Sequence, residues 1–237
     1  MVTGELFRGG TLEMSAEPWP AAGAGVLWTD FTVNRILACA AVFLLLLNLL
    51  DFFRLVPYLI YSYDRSRGAL DLEHNMGLAR SRNLIALCFL LPVCLIADRY
   101  ELMRMDFLTG IPPQWSVAAT TGILLGLLLV RDICYLLFQP RRLGGDVVPA
   151  LRHNPGNYII LLSVLMLTTI GFCSAFRAPD TLVRTILLWE TAAVWLLNMV
   201  RSTQLLAAKV SGFSTILYLC ALELFPAALL VTVVVFF

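Results

Sequence analysis

Glu190 and Glu223 are the residues of this chain best placed to do chemistry. Glu190 sits at the centre of an apolar run from 182 to 200, and Glu223 lies about ten residues into a run from Phe213 to Phe237. A carboxylate at bilayer depth costs about 2.5–3.5 kcal/mol on insertion scales unless it is protonated, paired or turned to a wet cavity. Trp189 and Trp195 flank Glu190, and Asn198 follows two turns later on the same helical face. One reading makes Glu190 a proton acceptor or part of a substrate path. The other makes it interhelical glue, worth about 0.6 kcal/mol on average and up to ~2. For Glu223, Pro226 three residues on would free a nearby backbone carbonyl. The two glutamates fall on neighbouring antiparallel runs, so one shared site is open to them.

Polar residues recur where apolar runs end. Leu46-Leu47-Asn48-Leu49-Leu50-Asp51-x-x-Arg54 resembles Leu196-Leu197-Asn198-Met199-Val200-Arg201 in its order of apolar, amide and charged positions. Asn48 therefore joins Asn198 as an intramembrane polar candidate. Asp51 and Arg54 are spaced to pair on one helical face, and Arg131 with Asp132 reads as a second interfacial charge pair. Arg54, Arg65, Arg67, Arg80 and Arg82 would face anionic headgroups as a binding rim. His74 and His153 lack a second ligand in helical register, so no metal is implied, and no cofactor motif is present. Gly144-Gly145 lacks the Lys-Ser/Thr of a phosphate loop, and no hydrolase or zinc-protease motif occurs.

The elements that must carry these residues are membrane spans. The chain of 237 residues is 59% hydrophobic and 14% charged, against roughly 45–50% and 25% for a soluble domain. A net charge of +1 argues against nucleic acid as a partner. Six runs predict an all-α polytopic bundle with short loops, near 33–56, 84–97, 115–138, 158–176, 182–200 and 213–237. The first runs on into an amphipathic stretch with a bend expected near Pro57. The second is short and contains Pro92, which leaves a re-entrant segment as its alternative. Ala118, Gly122 and Gly126 form a small-residue ridge on the third, where another helix can approach closely. The six cysteines lie in or beside apolar runs without paired spacing, and read as small buried hydrophobes.

Residues 1–32 form a polar lead-in that is acidic, unlike a secretory signal. Eleven of the seventeen basic residues fall at 51–83, 131–157 and 201–212. The positive-inside rule then puts these segments in the cytoplasm and both termini outside.

The ending Leu217-Tyr218-Leu219-Cys220-x-Leu222-Glu223-x-x-Pro226 resembles the closing motif of a family of bacterial inner-membrane proteins, a domain of unknown function. That resemblance implies a multi-pass protein of the bacterial inner membrane with no assigned reaction, and it marks Glu223 and Pro226. Short loops, the lack of a catalytic motif and the packing ridge lead to one expectation, a non-enzymatic subunit or assembly scaffold with protein partners in the lipid bilayer. A small proton-coupled transporter built on Glu190 and Glu223 is the alternative. An enzyme acting on lipid headgroups is a third reading, weakened by the lack of a carboxylate cluster for divalent metal.

Overall fold

In a computed structural model the described residues are 28, 31–64, 75–103, 115–137, 147–208, 212–225, 228 and 232. Every regular element among them is helical. Helix α1 is Thr32–Leu47, α2 Leu49–Asp64, α3 Met76–Arg99, α4 Ser116–Leu137, α5 Val147–Ala175 and α6 Asp180–Ala207. The last element, α7, is Gly212–Leu219 and continues into a π-helical turn, Cys220–Leu224. Four helices, α3 to α6, are long and apolar enough to cross a membrane, and the bent pair of α1 and α2 makes a fifth if counted as one span. The sixth expected run, 213–237, lies largely outside the described residues beyond 225.

The first span breaks at Asn48, not near Pro57, and α1 and α2 meet there at 66°. The buried Asn48 amide donates to the Leu44 carbonyl at 2.9 Å and reaches Cys88 Sγ of α3 at 3.5 Å. The Leu44 carbonyl also keeps its helical donor, the Asn48 N–H at 3.1 Å, so backbone and side chain of Asn48 share one acceptor at the break. Pro57 stays inside α2. The second run is also longer than its apolar core suggests. Asn75 caps α3 by accepting from the Leu78 N–H, and the helix carries Arg80 and Arg82 before the apolar stretch begins. Its 24 residues are enough to cross as one helix. With 61% of its apolar window buried, α3 is the most enclosed span.

The centre of the bundle is the pair α3 and α5. A Cβ placed on Gly156 would lie 3.4 Å from Ala86 Cβ, so the two backbones approach closely there. Ile85, Ala86 and Phe89 meet Ile160 beneath Leu55 and Leu59 of α2. Further along both helices, Val93 and Ile96 meet Met166, together with Val183 and Leu187 of α6. Rising numbers on α3 meet rising numbers on α5, so these two run parallel. Helix α6 runs antiparallel to α5, with Asn198 against Asn154 and Glu190 against Thr169.

The starts of α3 and α5 and the ends of α4 and α6 thus share one end of the bundle, which holds the buried Arg82, Arg131 and Arg201. The opposite end is closed by Asp98 of α3. Its carboxylate accepts from Trp28 Nε1 at 2.7 Å, Ser116 Oγ at 2.9 Å and Thr120 Oγ1 at 3.2 Å. That one acid fastens the start of α4 and the lead-in of α1 to α3. Arg99 beside it stacks between the Trp28 and Tyr100 rings.

The packing ridge of Ala118, Gly122 and Gly126 is not used among the described helices. Ala118 and Gly122 are exposed, and nothing lies within 4 Å of a Cβ built on Gly122 or Gly126. No helix of the described chain packs there. The close approach is made by Gly156 instead. A contrast between the two sites tests this assignment. Gly156→Leu should destabilise the folded protein in detergent by about 1–3 kcal/mol through overpacking against α3. Gly122→Leu should leave thermal unfolding unchanged or slightly raised.

Candidate functional site

The one closely paired buried charge site among the described residues joins α4, α5, α6 and the last helix. Glu223 is carried by the π-helical turn, where the Phe225 N–H bonds the Cys220 carbonyl in place of the usual α-helical partner. Such turns widen the helix locally and often occur at functional positions. Here Glu223 is 5% exposed while its neighbours Leu224 and Phe225 face outward. Its counterion is Arg131 of α4, likewise buried at 5%. Arg131 Nη2 lies 2.5 Å from Glu223 Oε1, and Nε lies 3.2 Å from Oε2, a two-pronged pairing. Tyr135, one turn along α4, donates to Oε1 at 2.9 Å and lays its ring under the guanidinium at 4.7 Å. Ser202 of α6 donates to the same oxygen at 3.3 Å.

The rest of the guanidinium is directed at α5. Pro155 lies inside that helix. A proline there leaves the carbonyl four residues earlier without its helical N–H, and that carbonyl belongs to Leu151. Arg131 Nη2 donates to it at 3.1 Å, while Nη1 donates to the Arg152 carbonyl at 3.0 Å. One side chain therefore neutralises the acid of one helix and supplies the donor missing from another. Asn154 extends the network, donating to Asn198 Oδ1 at 3.0 Å and reaching Ser202 Oγ at 3.5 Å. A second polar joint stands beside it. Arg201 Nη2 donates to the Ser62 carbonyl near the end of α2 at 2.7 Å, and Tyr63 donates to the Asn157 carbonyl at 2.6 Å.

A cavity of about 190 Å³ borders this centre between α4, α5 and α6. Its walls are apolar, except where Arg131, Thr191, Asn198 and Glu223 reach it.

Glu190 and Glu223 do not share partners. Glu190 accepts from Thr169 of α5 and is half-buried, and its Oε2 has no hydrogen-bond partner among the described residues. Trp189 faces outward, and Trp195, partly exposed, lines the cavity beside Glu223 and not Glu190. Asn198 belongs to the Asn154 network and not to Glu190. The expected pair Arg131 and Asp132 divides as well. Arg131 turns inward, and Asp132 points out to Arg152 of α5 at 3.0 Å. Adjacent helical residues are about 100° apart, so both cannot face one partner. Asp51 and Arg54 do approach each other, at 3.7 Å on an exposed face. Pro226 and His74 lie outside the described residues. Of the cysteines, Cys94 and Cys134 are buried while Cys39 and Cys220 face outward, a departure from the uniformly buried expectation.

Sequence reasoning did not reach Tyr135, Ser202, Asn154 or the donor that Arg131 supplies to the Leu151 carbonyl of α5. The available signals were the four-residue step from Arg131 to Tyr135 and the polar cluster 154–157, which belongs to α5 and not to a loop before it. Comparison with protein-family models, curated proteins and solved structures finds no match to this chain.

Breaking the buried pair from either side should cost about 3–5 kcal/mol, since the remaining charge stays buried alone. Glu223→Gln and Arg131→Leu should both show losses of that size in detergent unfolding. The proline relation adds a sharper check. Pro155→Ala returns an N–H to the Leu151 carbonyl, so Arg131→Leu should cost less in that background. A double-mutant cycle should show coupling of about 1 kcal/mol or more. Strict additivity would remove the assignment of Arg131 as the donor that α5 lacks.

Proposed function

We propose that this chain is a non-enzymatic subunit or assembly scaffold of a membrane complex. The observation that carries the reading is the outward ridge of α4. Among the described residues nothing packs on Gly122 or Gly126 and Ala118 is exposed, which leaves room where a transmembrane helix packs most closely. The state of the buried acid agrees with it. Both Glu223 oxygens are engaged by donors from the chain itself, so this carboxylate serves to hold helices in place. Fixed donors on every side are what a structural joint requires.

The bacterial inner membrane belongs to the same proposal, supported by the closing motif around Glu223. So does a cytoplasmic position for the arginine-rich end, supported by the basic bias of its loops. A second reading, a small proton-coupled transporter, is favoured by the cavity that reaches Arg131, Asn198 and Glu223. It now rests on Glu223 without Glu190, because the two acids have separate partners.

The test is purification from native membranes in mild detergent, comparing the natural chain with the Gly122→Leu, Gly126→Leu double variant. The scaffold reading expects a reproducible partner that the double variant loses while its own unfolding temperature holds. Retention of the partner by that variant, or a lone monomer from both, would count against it. In the second reading, Glu223→Gln abolishes pH-driven flux in proteoliposomes when compared at equal amounts of folded protein.

A further inference from the structure

On the other side of the Arg131 joint lies a larger opening of about 270 Å³ between α3, α4 and α5. Leu87 and Leu90 of α3, Leu125 and Leu129 of α4, and Ile159 of α5 make its walls apolar. One end is polar, lined by Asn83, Arg131, Asp132, Arg152 and His153; Arg131 is already paired with Glu223, and Arg152 and Asp132 pair across the groove at 3.0 Å. Their side chains are 42% and 41% exposed, so both remain open to an outside ligand. An ion pair this exposed is worth only about 0–1 kcal/mol, little enough for each partner to be exchanged for a ligand group of the right sign. The depth also fits. From Arg152 to the end of α5 at Ala175 the helix rises about 35 Å, slightly more than the hydrocarbon thickness of ~30 Å. When the far end of α5 is at one boundary, Arg152 is at the headgroup level of the other.

We infer that this groove binds a zwitterionic phospholipid whose headgroup ends in a primary ammonium, as in phosphatidylethanolamine. One acyl chain lies along Leu87, Leu129 and Ile159. The phosphate replaces Asp132 on Arg152, whose planar fork suits phosphate oxygens. The ammonium takes up Asp132 and donates hydrogen bonds to it. Apart from Arg131, which Glu223 already neutralises, the mouth presents one positive and one negative group, the complement of a headgroup of one negative and one positive group. A choline headgroup has no N–H to give Asp132, and a glycerol headgroup has no positive charge. The groove adjoins the ridge of α4, because Leu129 lies two turns after Gly122 on nearly the same helical face, so the test is made on the purified chain without a protein partner.

Native mass spectrometry on the full purified chain tests this, with dioleoyl phosphatidylethanolamine, phosphatidylcholine and phosphatidylglycerol added in turn. The natural chain should favour phosphatidylethanolamine over the other two by about tenfold, the effect of one well-formed charge-assisted contact. Arg152→Gln and Asp132→Asn should each bring that preference to within about twofold. Leu87→Trp, which fills the groove from its exposed rim, should lower binding of all three lipids, and Arg54→Gln should change nothing. Circular dichroism of each variant confirms that it is folded. The inference is overturned by any of three results: a preference for phosphatidylglycerol that Asp132→Asn strengthens, retention of the preference in Arg152→Gln, or displacement of the lipid by millimolar soluble phosphoethanolamine, which would make the headgroup alone the ligand.

Discussion

The bundle depends on the position of one guanidinium. Arg131 is removed from water, and a buried ion of its size costs several kcal/mol before any partner is found. Its attraction to Glu223 returns on the order of 4 kcal/mol at an effective dielectric near 20. The pair alone would then barely balance its desolvation. What makes the burial tolerable is that the remaining donors also find fixed acceptors, the Leu151 and Arg152 carbonyls and the Tyr135 hydroxyl. The Leu151 carbonyl needs a donor because Pro155 provides none. The proline defect of α5 and the buried acid of the last helix are two deficits of opposite kind, and Arg131 answers both.

The two ends of the bundle are closed by complementary chemistry. At one end a cation gathers oxygen atoms, as Arg131 does and as Arg201 does at the Ser62 carbonyl near the end of α2. Arg201 is well placed at Ser62, because the finish of α2 is the negative end of that helix's dipole. At the other end an anion gathers neutral donors, as Asp98 does with Trp28, Ser116 and Thr120. Helix α4 is held by both, through Ser116 and Thr120 at its start and Arg131 near its finish. Fixing a helix at two distant points sets its rotation and its height together. The ridge of Ala118, Gly122 and Gly126 thereby keeps a constant outward direction.

Much of this architecture is legible in hydropathy, because apolar runs of about 20 residues have few other structures open to them. The cores of α3, α4, α5 and α6 follow from it. Helix ends do not, since charged residues continue a helix readily once its first turns are fixed. Arg80 and Arg82 belong to α3, and Asn154 and Asn157 to α5, although hydropathy assigns them to loops. The break at Asn48 is hidden for a related reason. An asparagine has several possible uses, and here its amide bonds Leu44 within the helix and Cys88 of α3, a partner 40 residues away. The buried site was legible in half. The depth of Glu223 marks it as a residue needing a partner, but that partner lies 92 residues away. Local spacing pointed Arg131 at Asp132 instead. Which of two adjacent charges turns inward is decided by what the neighbouring helices lack, and here α5 lacks a donor.

Apolar side chains gain little from one another where lipid tails serve equally well as neighbours. A membrane bundle can therefore leave an apolar helix face without a protein neighbour at small cost, provided a few polar or close-packed contacts fix the arrangement. Helix α4 takes this to its limit. Between Asp98 and Arg131 it lies beside two cavities, and only Leu128, Arg131, Pro155 and Ile159 border both. In water such voids would be a serious defect, since lost contacts and exposed apolar surface would add. In a bilayer they can be filled from the side by the solvent itself, and the lost contacts are restored when an acyl chain enters. The polar joints of α4 hold these openings at fixed size, because neither groove can collapse without moving Arg131 away from Glu223 or Thr120 away from Asp98. The same interactions that fold this bundle thus preserve the unfilled space beside it.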